Sequence, residues 1–162
     1  VGSPSPLQRF AERDYRAVVN AVARITGDPL SAADSVQDAV LALLENPPRL
    51  PVDNLAAWIT VVATNRTRDR QRRRAAESRA LGRVGLLPEV AETPIFDADI
   101  RDAIESLPPR QRQICILHYV LDESVESIAL RLGVTAGAVK THLFRGRRAL
   151  AARLAAVYPR AA

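Results

Sequence analysis

Aromatic residues are scarce in this chain: they make up 4% of 162 residues, although hydrophobic residues as a whole reach 48%. There is enough apolar side chain to bury a core, and Leu, Val, Ile and Ala must build it, which suits packed helices. Cysteine is rarer still. Cys115 stands alone in the apolar run ICIL. A single cysteine excludes an intrachain disulfide and a cysteine-cluster metal site, and this setting marks a small core residue. Lysine occurs once, as Lys140, so every other basic residue is arginine. The two histidines, His118 and His142, fall on different predicted helices with no nucleophile beside them. No glycine-rich phosphate loop and no metal-ligand spacing is present, so the expectation is a non-enzymatic protein without metal or cofactor. No stretch is apolar enough to span a membrane and no secretory leader is visible, which predicts an intracellular protein without membrane insertion.

What the chain does have is positive charge and helical periodicity. The net charge is +5 and the sequence pI about 10.3, as a polyanionic partner requires. Arginine in place of lysine suits phosphate and guanine, which its planar fork can hold bidentately. Charge and periodicity come together from Ser124 to Arg153, SVESIALRLGVTAGAVKTHLFRGRRALAAR. Ser124 can cap a first helix, Gly133 can end it, and Thr135 can cap a second. Ala129, Gly133 and Val139 have the spacing of a helix-turn-helix. The second helix has an apolar back of Val139, Leu143 and Leu150. Its front of Lys140, Thr141, Phe144, Arg145, Arg147 and Arg148 suits reading of a major groove.

The rest of the chain also reads as helix. Residues 6–26 form a first helix with Tyr15, Val18, Val22 and Ile25 on one stripe. Ser31 is expected to cap the next, whose apolar face is Val36, Val40, Leu43 and Leu44. Asn46-Pro47-Pro48 ends it. A stiff proline-rich loop follows, and Asp53 is expected to cap a third helix. That helix is apolar from Leu55 to Val62, then polar and cationic through Asn65, Arg66, Arg68, Asp69, Arg70, Arg72, Arg73 and Arg74. So many like charges repel one another unless a polyanion is near. Residues 76–93 have weak periodicity, and between Gly85 and Asp99 the only charges are acidic. Ile100, Ala103, Ile104 and Leu107 open a second module. Pro108-Pro109 restarts it, and Ile114, Leu117 and Leu121 lead into the helix-turn-helix. The predicted fold is therefore all-α. Two small helical domains, residues 6–75 and 98–158, are joined by a flexible linker over residues 76–97.

With those residues placed, the chain resembles the extracytoplasmic-function sigma factors, a group within the sigma-70 family of bacterial RNA polymerase. The segments that carry the resemblance are YRAVVNAVARITGDPLSAADSVQDAVLALL, LAAWITVVATNRTRDRQRRR, LPPRQRQICILHYV and SIALRLGVTAGAVKTHLFRGRRAL. It covers nearly the whole chain. It implies a transcription initiation factor that works in the cytoplasm at the nucleoid. Its partners would be core RNA polymerase, through the clamp helices and the flap, and promoter DNA. An anti-sigma protein is a further partner that the two-domain form permits. The resemblance places minus-35 reading on Thr135, Lys140, Thr141, His142, Phe144, Arg145, Arg147 and Arg148. It places minus-10 recognition and melting on Asn54, Asn65, Arg66, Asp69, Arg70 and Arg73, with a flipped base held by the loop from Asn46 to Asn54. It places polymerase docking on Asp34, Gln37 and Asp38, and it threads the acidic linker toward the RNA path.

The chain departs from the family pattern at four positions. Leu44 and Val125 stand where an aromatic residue is common, Asp122 where glycine is frequent, and His142 where arginine is frequent. The competing reading is a helix-turn-helix regulator that acts without polymerase. It accounts for the C-terminal module but leaves DSVQDA, the acidic tether and the apolar-to-arginine helix without a role.

Overall fold

The computed structural model describes residues 2–49, 51–82 and 98–159. The chain divides into two compact units, Val1–Glu92 and Thr93–Ala162. Among the described residues every regular element is helical.

The first unit opens with α1 (Pro6–Arg9). Ser5 and Gln8 form a reciprocal capping box at its start. A π-helical turn, Phe10–Asp14, widens the helix before α2 (Tyr15–Thr26). Phe10 is buried there, and its ring meets Tyr15 edge to face. The apolar stripe of α2 faces inward as its spacing requires, with Val18, Val22 and Ile25 buried and Tyr15 half-buried.

Helix α3 runs from Pro29 to Glu45 and α4 from Leu55 to Leu81. Three expectations are corrected here. Ser31 does not cap α3. Asp28 does, accepting from the Ser31 N–H at 3.1 Å, because Pro29 is preset for the first helical position and moves the start upstream. Asp53 does not cap α4. The neighbouring Asn54 does, accepting from the Ala57 N–H at 3.0 Å. The helix also continues past residue 75 through the start of the expected linker. It stops only at Gly82, whose left-handed φ of 63° ends it. Residues 76–81 are good helix formers for the most part, and weak amphipathicity marks exposure there rather than absence of helix. The rest of the linker, residues 83–97, lies outside the described residues.

The α2, α3 and α4 helices pack on one another. Their core is Val18, Val22 and Ile25 with Ala32, Val36, Ala39, Ala57, Ile59 and Ala63. A fourth correction concerns the apolar face of α3. Val36 is buried, but Val40 and Leu43 are only half-buried, and Leu44 is 59% exposed. The small residues Ser31, Ala32, Ser35 and Ala39 occupy the inward face instead, so that α3 approaches its neighbours closely.

The second unit comprises α5 (Ala98–Glu105), α6 (Pro109–Cys115), a π-helical turn (Ile116–Val120), α7 (Val125–Leu132) and α8 (Ala136–Val157). Pro109 takes the first position of α6, as predicted. Ile104, Leu107, Ile114, Leu117, Ile128, Val139 and Leu143 are buried. Two arginines of LPPRQR serve this packing. Arg112 donates to the Glu105 and Leu107 carbonyls at 2.6 and 3.0 Å, which closes the end of α5. Arg110 reaches the Leu132 carbonyl at 3.4 Å, at the end of α7. Glu123, only 4% exposed, accepts from Arg131 at 3.2 Å. Asp122 adopts a left-handed φ of 53°, the one non-glycine to do so among the described residues. This gives a backbone reason for glycine at that position in the family.

The seat of α8 is narrow. Gly146 is buried against Cys115, and a Cβ built on it would lie 2.4 Å from the cysteine sulfur. Burial pushes the Cys115 thiol up, against a smaller downward pull from Arg147, so the side chain stays protonated and apolar. Gly146→Ala should therefore destabilise the protein by about 1–3 kcal/mol, the usual range for overpacking a core. Adding Cys115→Ala should recover much of the loss. Denaturant unfolding of the two variants checks both expectations.

Candidate nucleic-acid interface and docking surface

The helix-turn-helix forms by local chemistry. Ser124 caps α7, accepting from the Ser127 N–H at 3.1 Å. Gly133, at a φ of 64°, turns the chain, and the Val134 N–H returns to the Ala129 carbonyl at 3.0 Å. Thr135 caps α8, accepting from the Ala138 N–H at 3.1 Å. Its hydroxyl thus sets the helix start as its first task. Ala129 and Val139 are buried between the two helices.

Outward from this seat, α8 presents Lys140, Thr141, Phe144, Arg145, Arg147 and Arg148, all exposed. Spacings of three, four and seven residues bring them onto one broad face. The Thr141 hydroxyl donates to the Gly137 carbonyl at 3.0 Å. Phe144 is 54% exposed, an unusual position for a phenyl ring, and the Arg148 guanidinium lies 5.7 Å from its centroid. This pairing leaves one apolar surface flanked by cations. His142 lies at the edge of the face. It is half-buried, with Nδ1 shielded from solvent and without a hydrogen-bond partner.

In the first unit, α4 changes character where the periodicity predicts. Ile59, Thr60, Ala63, Thr64 and Thr67 are buried, whereas Asn65, Arg66, Asp69, Arg72 and Arg73 are exposed. Asn65, Arg66, Asp69 and Arg73 share one outward face, and Arg72 pairs with Asp69 at 2.7 Å. Asn54 stands apart from them as the cap of α4. Arg70 turns the other way, onto α3, where Asp38 and Ser35 hold it. Arg74 reaches Asp28 at 3.3 Å, and Gln71 donates to the Thr26 carbonyl at 2.9 Å.

The docking candidates separate in the same way. Asp34 and Gln37 are exposed on α3, and Gln37 Nε2 donates to the Tyr15 hydroxyl at 3.4 Å. Asp38 is half-buried and faces α4. The residues that complete the outward face are apolar. Leu30, Leu41 and Leu44 are 64%, 54% and 59% exposed. Positions 30, 34, 37, 41 and 44 recur at intervals of four, three, four and three, the spacing of a single helix face. That signal was present in the sequence. The apolar character of Leu44 argued for the core and hid it.

No group of three or more His, Cys, Asp or Glu side chains gathers as a metal site among the described residues. No described helix is long and apolar enough to cross a membrane.

Comparison with known proteins assigns both units. The family model described as Sigma-70 region 2 matches residues 10–77, and the one described as Sigma-70, region 4 matches residues 97–150. The ECF RNA polymerase sigma factor SigF of Caulobacter vibrioides is 30% identical over 134 residues, which cover 81% of this chain and 75% of that protein. This chain belongs to the ECF sigma factors of the sigma-70 family. SigW of Bacillus subtilis is 28% identical over 148 residues, covering 81% of this sigma factor and 79% of SigW. SigE of Mycolicibacterium smegmatis is 28% identical over 160 residues. The alignment takes in 89% of this chain but only 58% of SigE, so this sigma factor spans little over half of that relative. The fold also matches a solved structure, the sigma factor RpoE in complex with the anti-sigma factor NepR from Bartonella quintana. That match has a TM-score of 0.72 at 21% identity, and it covers 90% of this chain and 97% of RpoE.

If Lys140 and Arg145 meet base edges and Arg147 and Arg148 meet phosphates, the two pairs respond differently. Lys140→Ala and Arg145→Ala should each relax base discrimination, at a cost of about 1–3 kcal/mol. Arg147→Ala and Arg148→Ala should weaken binding to all duplexes alike and reduce the salt slope by about one each. Selection from a randomised duplex pool, followed by salt titration, separates the two classes.

Proposed function

We propose that this sigma factor binds core RNA polymerase and directs it to promoters through three surfaces. The α8 face reads the minus-35 element in the major groove. The outward face of α4 takes the minus-10 element, with Asn65, Arg66 and Asp69 at the upstream edge of the melted segment and Arg73 following along the helix. The outward face of α3 docks on the polymerase.

One observation carries the reading. Leu30, Leu41 and Leu44, with Asp34 and Gln37 between them, form one exposed stripe on α3, a helix of the same unit as the cationic α4. A regulator that bound only duplex DNA would have no use for it. Exposed leucines interleaved with polar side chains on one helix face suit a protein–protein contact. The α4 helix supports the second surface because it offers cations and an amide on one outward face, and a proline-rich loop leads into the same helix. The loop from Asn46 to Asn54 joins α3 to α4, and as a holder of an extruded base it remains part of the proposal. His142 and Thr135 border the minus-35 surface and act there through the geometry of α8. The work belongs to the cytoplasm, at the nucleoid. An anti-sigma partner is proposed on the same grounds of fold, since the RpoE of similar structure was solved in complex with one.

The test uses the exposure of the stripe. Leu41→Glu with Leu44→Glu changes side chains that are 54% and 59% exposed in the isolated protein, so its circular dichroism should be unchanged. Co-elution with core RNA polymerase should be lost, and minus-35 duplex binding by the free protein should persist. Retention of core binding by the double variant would remove α3 from the interface. Failure of the unaltered protein to co-elute would favour the regulator instead.

A further inference from the structure

Helices α3 and α4 meet through a polar seam as well as an apolar one. Ser35 and Thr67 are both fully buried, and their hydroxyl oxygens lie 2.8 Å apart. Thr67 Oγ1 is also 3.0 Å from the Ala63 carbonyl of its own helix. Arg70 follows Thr67 by one turn. It donates from Nη1 to Ser35 Oγ at 3.0 Å and from Nη2 to the Asp38 carboxylate. Two hydroxyls, a guanidinium and a carboxylate thus run in one line across the contact, from the core to its rim. The Arg70 and Asp38 side chains keep 32% and 37% of their exposure, so water reaches the outer end of the line only.

This arrangement separates Arg70 from the arginines beside it. Arg66 and Arg73 are exposed on the outward face. Arg70 has both terminal nitrogens turned toward α3 and engaged there. Asp38 is likewise turned from the docking stripe toward α4. The Arg70 fork adds a second polar contact one turn beyond Thr67–Ser35, and its rigid planar geometry sets the register of α4 on α3 at the rim of the apolar packing.

We propose that Arg70 is a positioning residue. Its charge is answered by Asp38 and Ser35 rather than by a phosphate, and the Asp38–Arg70 pair fixes the rotation of the α4 nucleic-acid face relative to the α3 docking stripe. The inference rests on the function proposed above for those two faces. It gives Asp38 and Arg70 an internal role in place of the polymerase and DNA contacts expected from the family pattern.

The experiment uses the full chain with Asp38→Arg, Arg70→Asp, their exchange in one protein, Arg70→Ala and Arg73→Ala. Circular dichroism first confirms that each is folded. Affinity for core RNA polymerase and the salt dependence of binding to a short mixed-sequence single strand, the form proposed for the α4 face, are then measured. Each single reversal should weaken core binding, and the exchange should restore most of it. Arg70→Ala should leave the slope of log affinity against log salt unchanged, while Arg73→Ala should reduce it by about 0.7, one phosphate contact on a single strand. An exchange variant as defective as Asp38→Arg would make Asp38 a direct polymerase ligand and overturn the proposal. A lower salt slope for Arg70→Ala would make Arg70 a phosphate ligand and overturn it as well. If the unaltered protein failed to bind core, the functional reading would fall, and the salt slopes would still decide the role of Arg70.

Discussion

A chain built of short helices has many helix ends, and each end leaves backbone donors or acceptors that something must satisfy. Both units depend on how this is done. Ser5, Asp28, Asn54, Ser124 and Thr135 each accept from a backbone N–H in the first turn of a helix. Arg112 and Arg110 close carbonyl ends in the second unit. The arginine excess of the sequence therefore has two uses. Some guanidiniums satisfy carbonyls or carboxylates inside the fold, as with Arg70, Arg74, Arg110, Arg112 and Arg131. Others stand exposed on α4 and α8, where the same planar fork can meet phosphate. Counting arginines does not distinguish the two, and the carbonyl or carboxylate within reach does.

The two exposed cationic faces are supported differently. The α8 face rests on a close-packed seat, with Gly146 against Cys115 and with Val139 and Leu143 buried beneath it. A reading helix needs such a seat, because base edges are discriminated over fractions of an ångström. The α4 face rests on a seam in which buried threonines and Ser35 replace bulky apolar residues. That seam lets α3 and α4 approach closely, and it leaves the leucines of α3 on the outside. The exposed apolar stripe is thus a consequence of how the domain core is built.

The sequence made the helical class, the two-module division and the helix-turn-helix legible, because periodicity and the turn chemistry of Gly133 and Thr135 agree there. It was less informative where two signals competed. Ser31 resembles a cap as much as Asp28 does, and the Pro29 ring decides between them. Leu44 has the hydrophobicity of a core residue, but the helix turns it outward and fills the core with Ala32, Ser35 and Ala39. Residues 76–81 lack an apolar face, so nothing in their pattern separates an exposed helix from a loop. The partners of Asp38 and Arg70 were hidden for another reason. They are 32 positions apart, and only the packing of α3 on α4 brings them together.

The length of α4 has a mechanical consequence. Among the described residues, its last hydrogen-bonded or ionic ties to the rest of the unit are Gln71 on Thr26 and Arg74 on Asp28. From residue 75 to Leu81 it continues for about two turns, roughly 10 Å at the usual rise, with almost every residue exposed. An α-helix clamped at one end behaves as a cantilever. Small rotations at the clamp become larger displacements at the tip, and a load on the tip returns to the clamp as torque. A load applied at Gly82 therefore acts on the contacts of Arg74 and Gln71 before it reaches the buried core.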